Sequence, residues 1–174
     1  MRKMIISKKW LSKKKACEEG IFWFCKQTET DGLKVVKKLI DKNKLDWANW
    51  LIARIMNYKQ RVSYAVFDAE HVIDIYEQKY PTDDRLRKAI DEAYICIKKQ
   101  NNENKAAANA AANAAANAAS NAANTAAYAA NAAYADAAYA AVDAAGYAAD
   151  AAYVSYAFMK VEILNYGIKL LEAK

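Results

Sequence analysis

The residues able to do acid–base, nucleophilic or metal chemistry are few and scattered. The chain has a single histidine, His71, directly after Glu70. A protein metal site needs three or four ligands, and no second histidine is available to supply one. No Ser-His-Asp or Cys-His arrangement stands in a motif that supports nucleophilic catalysis, and no Gly-rich loop is present to bind phosphates. The sequence therefore predicts no catalytic residue, no metal, no cofactor, and a protein that is not an enzyme.

The three cysteines, Cys17, Cys25 and Cys96, form no pair with ligand spacing. An odd number of such cysteines is typical of reduced thiols in the cytosol. The first residues, MRKMIISKKW, have a basic start but lack the apolar run of a signal peptide. We therefore expect a cytoplasmic protein, in the cytoplasm of the host cell if a phage encodes it.

Four arginines in the most aromatic region are candidates for binding rather than catalysis: Arg54, Arg61, Arg85 and Arg87. A guanidinium fork suits phosphate or carboxylate, so together they could form a pocket for an anion. The alternative is that they pair with acidic residues of the chain itself. The candidate acids are Asp46, Asp68, Asp83, Asp84 and Glu92.

Trp47 and Trp50 are three residues apart and would be neighbours on a helix. Large aromatic side chains at this spacing serve either as core anchors or as part of a binding surface. Both interpretations stay open from the sequence.

The positive charge belongs to the N-terminal part of the chain. Residues 1–105 hold 23 Lys and Arg against 15 Asp and Glu, whereas residues 106–174 hold 3 against 5. An excess of this size could attract a nucleic acid, an anionic small molecule or an acidic protein.

The fold class follows from the scarcity of turn residues. The chain has four glycines and one proline, Pro81, which is too few for the frequent turns of a sheet protein. Apolar residues recur at three- and four-residue steps in several segments, as on one face of a helix. These segments are SKKWLSKKKACEE ended by Gly20, LKVVKKLIDKN, LDWANWLIARIM, RVSYAVFDAEHVIDIYEQKYP as one helix, and DDRLRKAIDEAYICIKKQ. The prediction is an all-α helical bundle.

The composition changes at the NNEN run of residues 101–104. We therefore divide the chain into a basic helical domain, residues 1–105, and an Ala-rich helical tract, residues 106–174. The larger apolar residues that return after Tyr153 predict a last helix that can rejoin the core. The tract is interrupted by Asn, Asp and Tyr throughout, which argues against a membrane span.

The polar residues of the tract recur at four- and seven-residue steps, so they occupy one half of a helix while the other half is nearly pure alanine. This regular phase favours one long helix of about 70 Å or a nearly coaxial pair, although a hairpin at Asn121–Thr125 or a kink at Gly146 is an alternative. Tyr128 and Tyr139 lie in the polar half and are candidates for partner binding. The alanine half would allow another helix to approach closely, which predicts a homo-oligomer, most simply a two-fold dimer.

The segment LDWANWLIARIM, then YAVFDAEHVIDIYEQKYPTDDRLRKAIDEA and the Ala/Tyr/Asn tract, resembles a family of immunity proteins found in phages and near bacterial polymorphic toxin loci. Its most specific parts are Trp47–Leu51, Glu70 with the following IDIYE, and Asp84-Arg85-x-Arg87-Lys88-Ala89-Ile90. The match covers most of the chain, from about residues 16–17 to the end of the Ala-rich tract. The resemblance implies an α-helical intracellular inhibitor and supplies no active-site residue.

Two functions are therefore expected. The first is an immunity or anti-defence protein that neutralises a bacterial toxin or defence effector by binding it, with Tyr and Trp as recognition residues. The alternative is a phage sponge that sequesters a small anionic nucleotide immune signal through Arg and aromatic side chains. An ice-binding helix is disfavoured, because the Ala-rich tract has only one threonine, Thr125. Neither a membrane nor a nucleic acid is an expected partner.

Overall fold

The structure is a computed structural model that describes residues 4–71, 73–116 and 156–173. Within these ranges the all-α prediction is confirmed: most residues are helical, and the only β feature is an isolated antiparallel bridge between Ile5 and Asp31. The helices are α1 Lys8–Lys13, α2 Glu18–Cys25, α3 Gly32–Asp41, α4 Leu45–Ile55, α5 Tyr58–Glu70, α6 Ile73–Lys79, α7 Arg85–Lys98, α8 Asn102–Ala116 and α9 Tyr156–Glu172. None of the described helices is both long and apolar enough to cross a membrane.

Short polar side chains set the starts of several helices by binding backbone N–H groups that have no partner within the helix. Ser7 accepts a hydrogen bond from the Trp10 amide at 3.1 Å and so starts α1. Asn57 and Gln60 exchange two bonds of 3.0 Å in a capping box that starts α5.

Two helix boundaries differ from the sequence prediction. Residues 7–19 do not form one helix ended by Gly20, because Lys15 takes a left-handed φ of 59° and ends α1, while Gly20 lies inside α2. The Cys17 thiol caps α2 by accepting from the Gly20 amide at 3.4 Å. The predicted single helix through residues 61–81 is instead α5 and α6, since α5 ends at Glu70 with His71 as its C-cap.

The core is formed by one apolar face from each of α3, α4, α5, α7 and α9. Its fully buried large side chains include Val36, Ile52, Val66, Ile90 and Leu164. Packing of this kind removes roughly 25 cal/mol of unfavourable hydration free energy for each Å² of apolar surface buried.

Helix α9 completes this core from the end of the chain. It packs on α4 and α5, with Ile163 and Leu164 buried. Two further contacts hold its last turn: Lys37 donates to Glu172 at 2.7 Å, and Gln60 donates to the Leu170 carbonyl at 2.6 Å.

Helix α8 runs across residue 105 without interruption and packs along α7. The break in secondary structure lies just before it, between the end of α7 at Lys98 and the start of α8 at Asn102, so the predicted boundary after residue 105 falls inside α8. Most of the Ala-rich tract, including Tyr128 and Tyr139, lies outside the described residues, as do the positions that decide between one helix and a hairpin. Self-association through the tract stays a prediction.

Candidate functional site

The main candidate site is an apolar cleft of about 420 Å³ enclosed by α1, α2, α3 and α4. Pockets of about 300–1,000 Å³ with mainly hydrophobic and aromatic walls are typical of ligand sites. Its wall includes the large apolar side chains of Leu11, Trp23, Phe24, Leu39, Trp47 and Trp50. We refer to this space as the tryptophan cleft.

Helix α4 carries two of the three tryptophans of the wall, because one of its faces borders the cleft and the other packs into the core. Trp47 and Trp50 lie on the face toward the cleft, while Asn49 and Ile52 are buried on the opposite side. The Trp47 ring meets the ring of Trp23 edge-on, with centroids 6.4 Å apart and an interplanar angle of 63°. Such edge-to-face pairs fix ring orientation. The two tryptophans of α4 are thus half-buried wall residues that join the core to the cleft.

Cations lie beside the tryptophan cleft. Lys15 is exposed and contributes to its wall. The Lys44 ammonium lies 4.2 Å from the centroid of the Trp47 ring, a distance suited to a cation–π contact. Among the described residues, Asp46 is the one that brings a carboxylate to the wall, and it accepts a hydrogen bond from Lys160 of α9.

The charge of the chain is concentrated in the part that builds most of this cleft. Residues 1–44 hold 13 Lys and Arg against five Asp and Glu, whereas residues 45–105 hold ten of each. The basic surplus of the N-terminal part therefore belongs to the segment of α1, α2 and α3.

The arginines predicted to bind an anion are engaged within the chain. Arg85 forms a fork with Asp83, with Nε 2.8 Å from Oδ1. Tyr76 also donates to Asp83, at 2.5 Å. Hydrogen bonds from Arg85 and then Tyr76 hold the pKa of the Asp83 carboxyl well below its usual range. The Arg85 guanidinium is therefore paired with the Asp83 carboxylate instead of being open to an external anion.

The other three arginines also have intramolecular contacts. Arg87 makes two bonds to Glu77, at 3.0 and 2.8 Å. Arg54 lies over the Trp50 ring, with its guanidinium carbon 4.1 Å from the centroid, and donates to the Trp50 carbonyl. Arg61 donates to the Met56 carbonyl. None of the four arginines is part of the cleft wall, so they are not brought together into one anion site there.

A buried polar pair lies behind α4, and the sequence interpretation missed it. The Tyr64 hydroxyl donates to Asn49 at 2.9 Å, and both residues are buried. Asp68, one turn along α5, is fully buried, and neither carboxyl oxygen has a hydrogen-bond partner among the described residues. Burial raises the pKa of Asp68 well above its ordinary value, because desolvation disfavours the charged form. In the sequence Asp68 was a candidate partner for an arginine. Its position three residues after Ala65 and next to Ala69, which are both buried in α5, is the signal that it faces the core.

His71 lies in a second pocket, of about 430 Å³, between α5 and α9. The Phe67 ring is stacked on Tyr166 at 3.9 Å and tilted against His71 at 4.0 Å. Nδ1 of His71 lies 2.8 Å from the Phe67 carbonyl, and Nε2 lies 3.8 Å from Glu162. In the part of the chain that the structure describes, no three His, Cys, Asp or Glu side chains form a group able to hold a metal.

Comparison of the chain with protein-family models, with curated proteins and with solved structures found no match.

Proposed function

We propose that this chain is a non-enzymatic binding protein of the immunity or anti-defence type, which neutralises a bacterial toxin or defence effector by holding it. The observation that carries the proposal is the tryptophan cleft, an apolar space of about 420 Å³ whose wall includes Trp23, Trp47 and Trp50. Tryptophan is enriched among the residues that contribute most to protein–protein binding, especially around pockets that exclude water. The cleft would receive an apolar side chain of the partner.

The arrangement of the arginines favours a protein partner over a nucleotide. A nucleotide needs several donors to replace the water around its phosphates, whereas Arg85 and Arg87 already bind Asp83 and Glu77. The nucleotide sponge remains the second candidate because Lys44 lies against the Trp47 ring. Lys44 and Trp47 line a smaller pocket beside the tryptophan cleft, where a base could stack on the tryptophan with a phosphate near that lysine.

Native mass spectrometry of the full chain, purified from toxin-expressing or phage-infected cells, tests the proposal. The blocking variant is Ala16→Phe, since Ala16 is a half-buried residue of the cleft wall and a larger side chain would fill the space. Arg87→Gln is the matched control, because Arg87 lies on α7 away from the wall.

A bound polypeptide that is retained by Arg87→Gln and lost with Ala16→Phe supports the proposal. A bound species in the mass range of a nucleotide, lost on Lys44→Gln, would replace it with the sponge. A polypeptide retained equally by both variants would show that the partner is held elsewhere on the molecule.

A further inference from the structure

We infer that the tryptophan cleft recognises an acidic segment of a partner protein, in which a bulky apolar side chain is flanked by carboxylates. This inference rests on the proposed function and names the chemistry of the partner. It depends on three observations: the apolar wall of the cleft, the excess of Lys and Arg over Asp and Glu in residues 1–44, and the backbone conformation of Lys15.

The apolar wall defines the central group of the ligand. Trp23, Phe24 and Leu39 offer hydrocarbon and ring surface, and burying an apolar group against them is favourable in proportion to the apolar area removed from water. A charged group placed at this point would lose its hydration without gaining a partner. The group that enters the cleft is therefore apolar.

The charges at the edge of the cleft and on α1 define the flanks of the ligand. The lysines of α1 and of the turn after it, Lys8, Lys9, Lys13, Lys14 and Lys15, are all exposed. The acids nearby offset this only in part: Glu18 and Glu19 are exposed in the first turn of α2, and Asp46 is paired with Lys160. Lys15 lies in the wall itself, and α1, which contributes Leu11 to that wall, carries the other exposed lysines. Positive charge at the edge of an apolar cleft suits negative charge beside an apolar side chain, and such complementarity speeds association and selects the partner.

Lys15 belongs both to the apolar wall of the cleft and to the positively charged N-terminal segment. It contributes to the cleft wall and has a left-handed backbone with φ of 59°. The other non-glycine residue with positive φ, among those described, is Asn43 with φ of 54°. Asparagine tolerates this conformation far better than lysine. A lysine kept at a strained position beside the cleft is consistent with a role for its charge in binding.

The test uses three blocked peptides of equal length, none containing tryptophan. The first has a central phenylalanine between aspartates, the second has the same phenylalanine between lysines, and the third has serine between aspartates. The four tryptophans of the chain, Trp10, Trp23, Trp47 and Trp50, all lie in α1, α2 and α4, so their fluorescence reports binding directly.

We expect the aspartate–phenylalanine peptide to bind about tenfold more tightly than the lysine–phenylalanine peptide at low salt, because charge complementarity is then least screened. The serine peptide should show no saturable change. Lys15→Asn should weaken binding of the acidic peptide about threefold, without altering the fold, since asparagine accepts the left-handed backbone. Lys59→Asn, on α5 and outside the cleft wall, is the matched control and should have no effect.

Equal binding of the two phenylalanine peptides would overturn the inference about the flanking charge and leave the cleft as the proposed anchor site. Saturable binding of the serine peptide would overturn the claim that an apolar side chain of the ligand must enter the cleft. Failure of all three peptides to bind would overturn both the inference and the use of the cleft, whereas the native mass measurement would still test whether a polypeptide is held at all.

Discussion

Gly167 of α9 lies against the ring of Tyr64, so closely that a Cβ at residue 167 would be 2.8 Å from Cε2 of that ring. The same Cβ would be 2.6 Å from Cδ1 of Ile52. Both distances are below those that real Cβ atoms show, so α9 reaches its position on α4 and α5 because residue 167 has no side chain. This contact also orders the back of α4, the helix whose other face carries Trp47 and Trp50.

Gly167→Ala is expected to lower the free energy of unfolding by about 1–3 kcal/mol, because an added methyl group overpacks the core. The loss will exceed the gain of up to about 1 kcal/mol that alanine brings to a helix interior. Urea denaturation measures the change. Gly20→Ala is the matched control: it is also in a helix, but its nearest neighbour would be the Cys17 thiol at 3.2 Å, which can move. A stability gain for Gly167→Ala as large as that for Gly20→Ala would contradict the close contact.

Asp68→Asn is expected to change how stability depends on pH. The folded-state pKa of Asp68 lies above its unfolded value because of desolvation. The wild type therefore keeps full stability below the unfolded pKa and loses it as pH rises toward the folded pKa, by at most about 1.4 kcal/mol for each pH unit. The variant has no such loss. Urea denaturation at about pH 5 and about pH 8 measures the free energy of unfolding of both proteins. The value for the variant, relative to that for the wild type, should be higher at about pH 8 than at about pH 5. A constant difference between the two would mean that the Asp68 carboxyl ionises as it does in water.

Lys15→Gly is expected to raise the free energy of unfolding by about 1 kcal/mol, because glycine relieves the left-handed backbone at this position. Asn43→Gly is the control and should change stability much less, since asparagine already accepts that conformation. Thermal or urea unfolding of the two variants gives the comparison. If both variants change stability equally, Lys15 is not strained.

The sequence predicted the all-α class from its lack of turn residues, and the inward face of α7 followed from its periodicity. In α4 the fully buried side is that of Asn49 and Ile52, opposite Trp47 and Trp50, and the periodicity of the apolar residues did not indicate this. It did not locate the end of α1, because nothing in the run of lysines indicates that Lys15 turns left-handed. It also misjudged Gly20, which lies in a helix where the Cys17 thiol supplies the cap. Side-chain caps and single strained residues depend on three-dimensional neighbours, which periodicity does not contain.

The candidate site was partly visible in the sequence. Trp47 and Trp50 were named, and the cleft includes both, but their partners Trp23 and Leu39 come from other helices and have no common spacing. The pairing of Arg85 with Asp83 was among the predicted alternatives. Arg87 instead binds Glu77, which lies ten residues earlier and becomes a neighbour only when α6 and α7 pack.

The Ala-rich tract leads to a prediction that rests on the sequence alone. Ala130, Ala137 and Ala141 lie on the alanine half of the predicted helix, outside the described residues. Changing them to Glu should reduce self-association, because the side chains would separate the helices and add repulsion while retaining helix propensity. Sedimentation of the wild type and the variant measures this. A wild type that is monomeric at high concentration would contradict the predicted dimer.

The packing of α9 has a consequence for how the protein is made. The core residues Ile163 and Leu164 come from the last helix, which the ribosome adds only after the whole of residues 117–155. Translation proceeds at about 5–20 residues per second. Several seconds therefore pass between the synthesis of the N-terminal helices and that of α9, whose side chains complete the core. A chain cut short by early termination or by proteolysis before α9 would lack those buried side chains, so it would be an unstable fragment that is open to degradation rather than a folded protein with reduced activity.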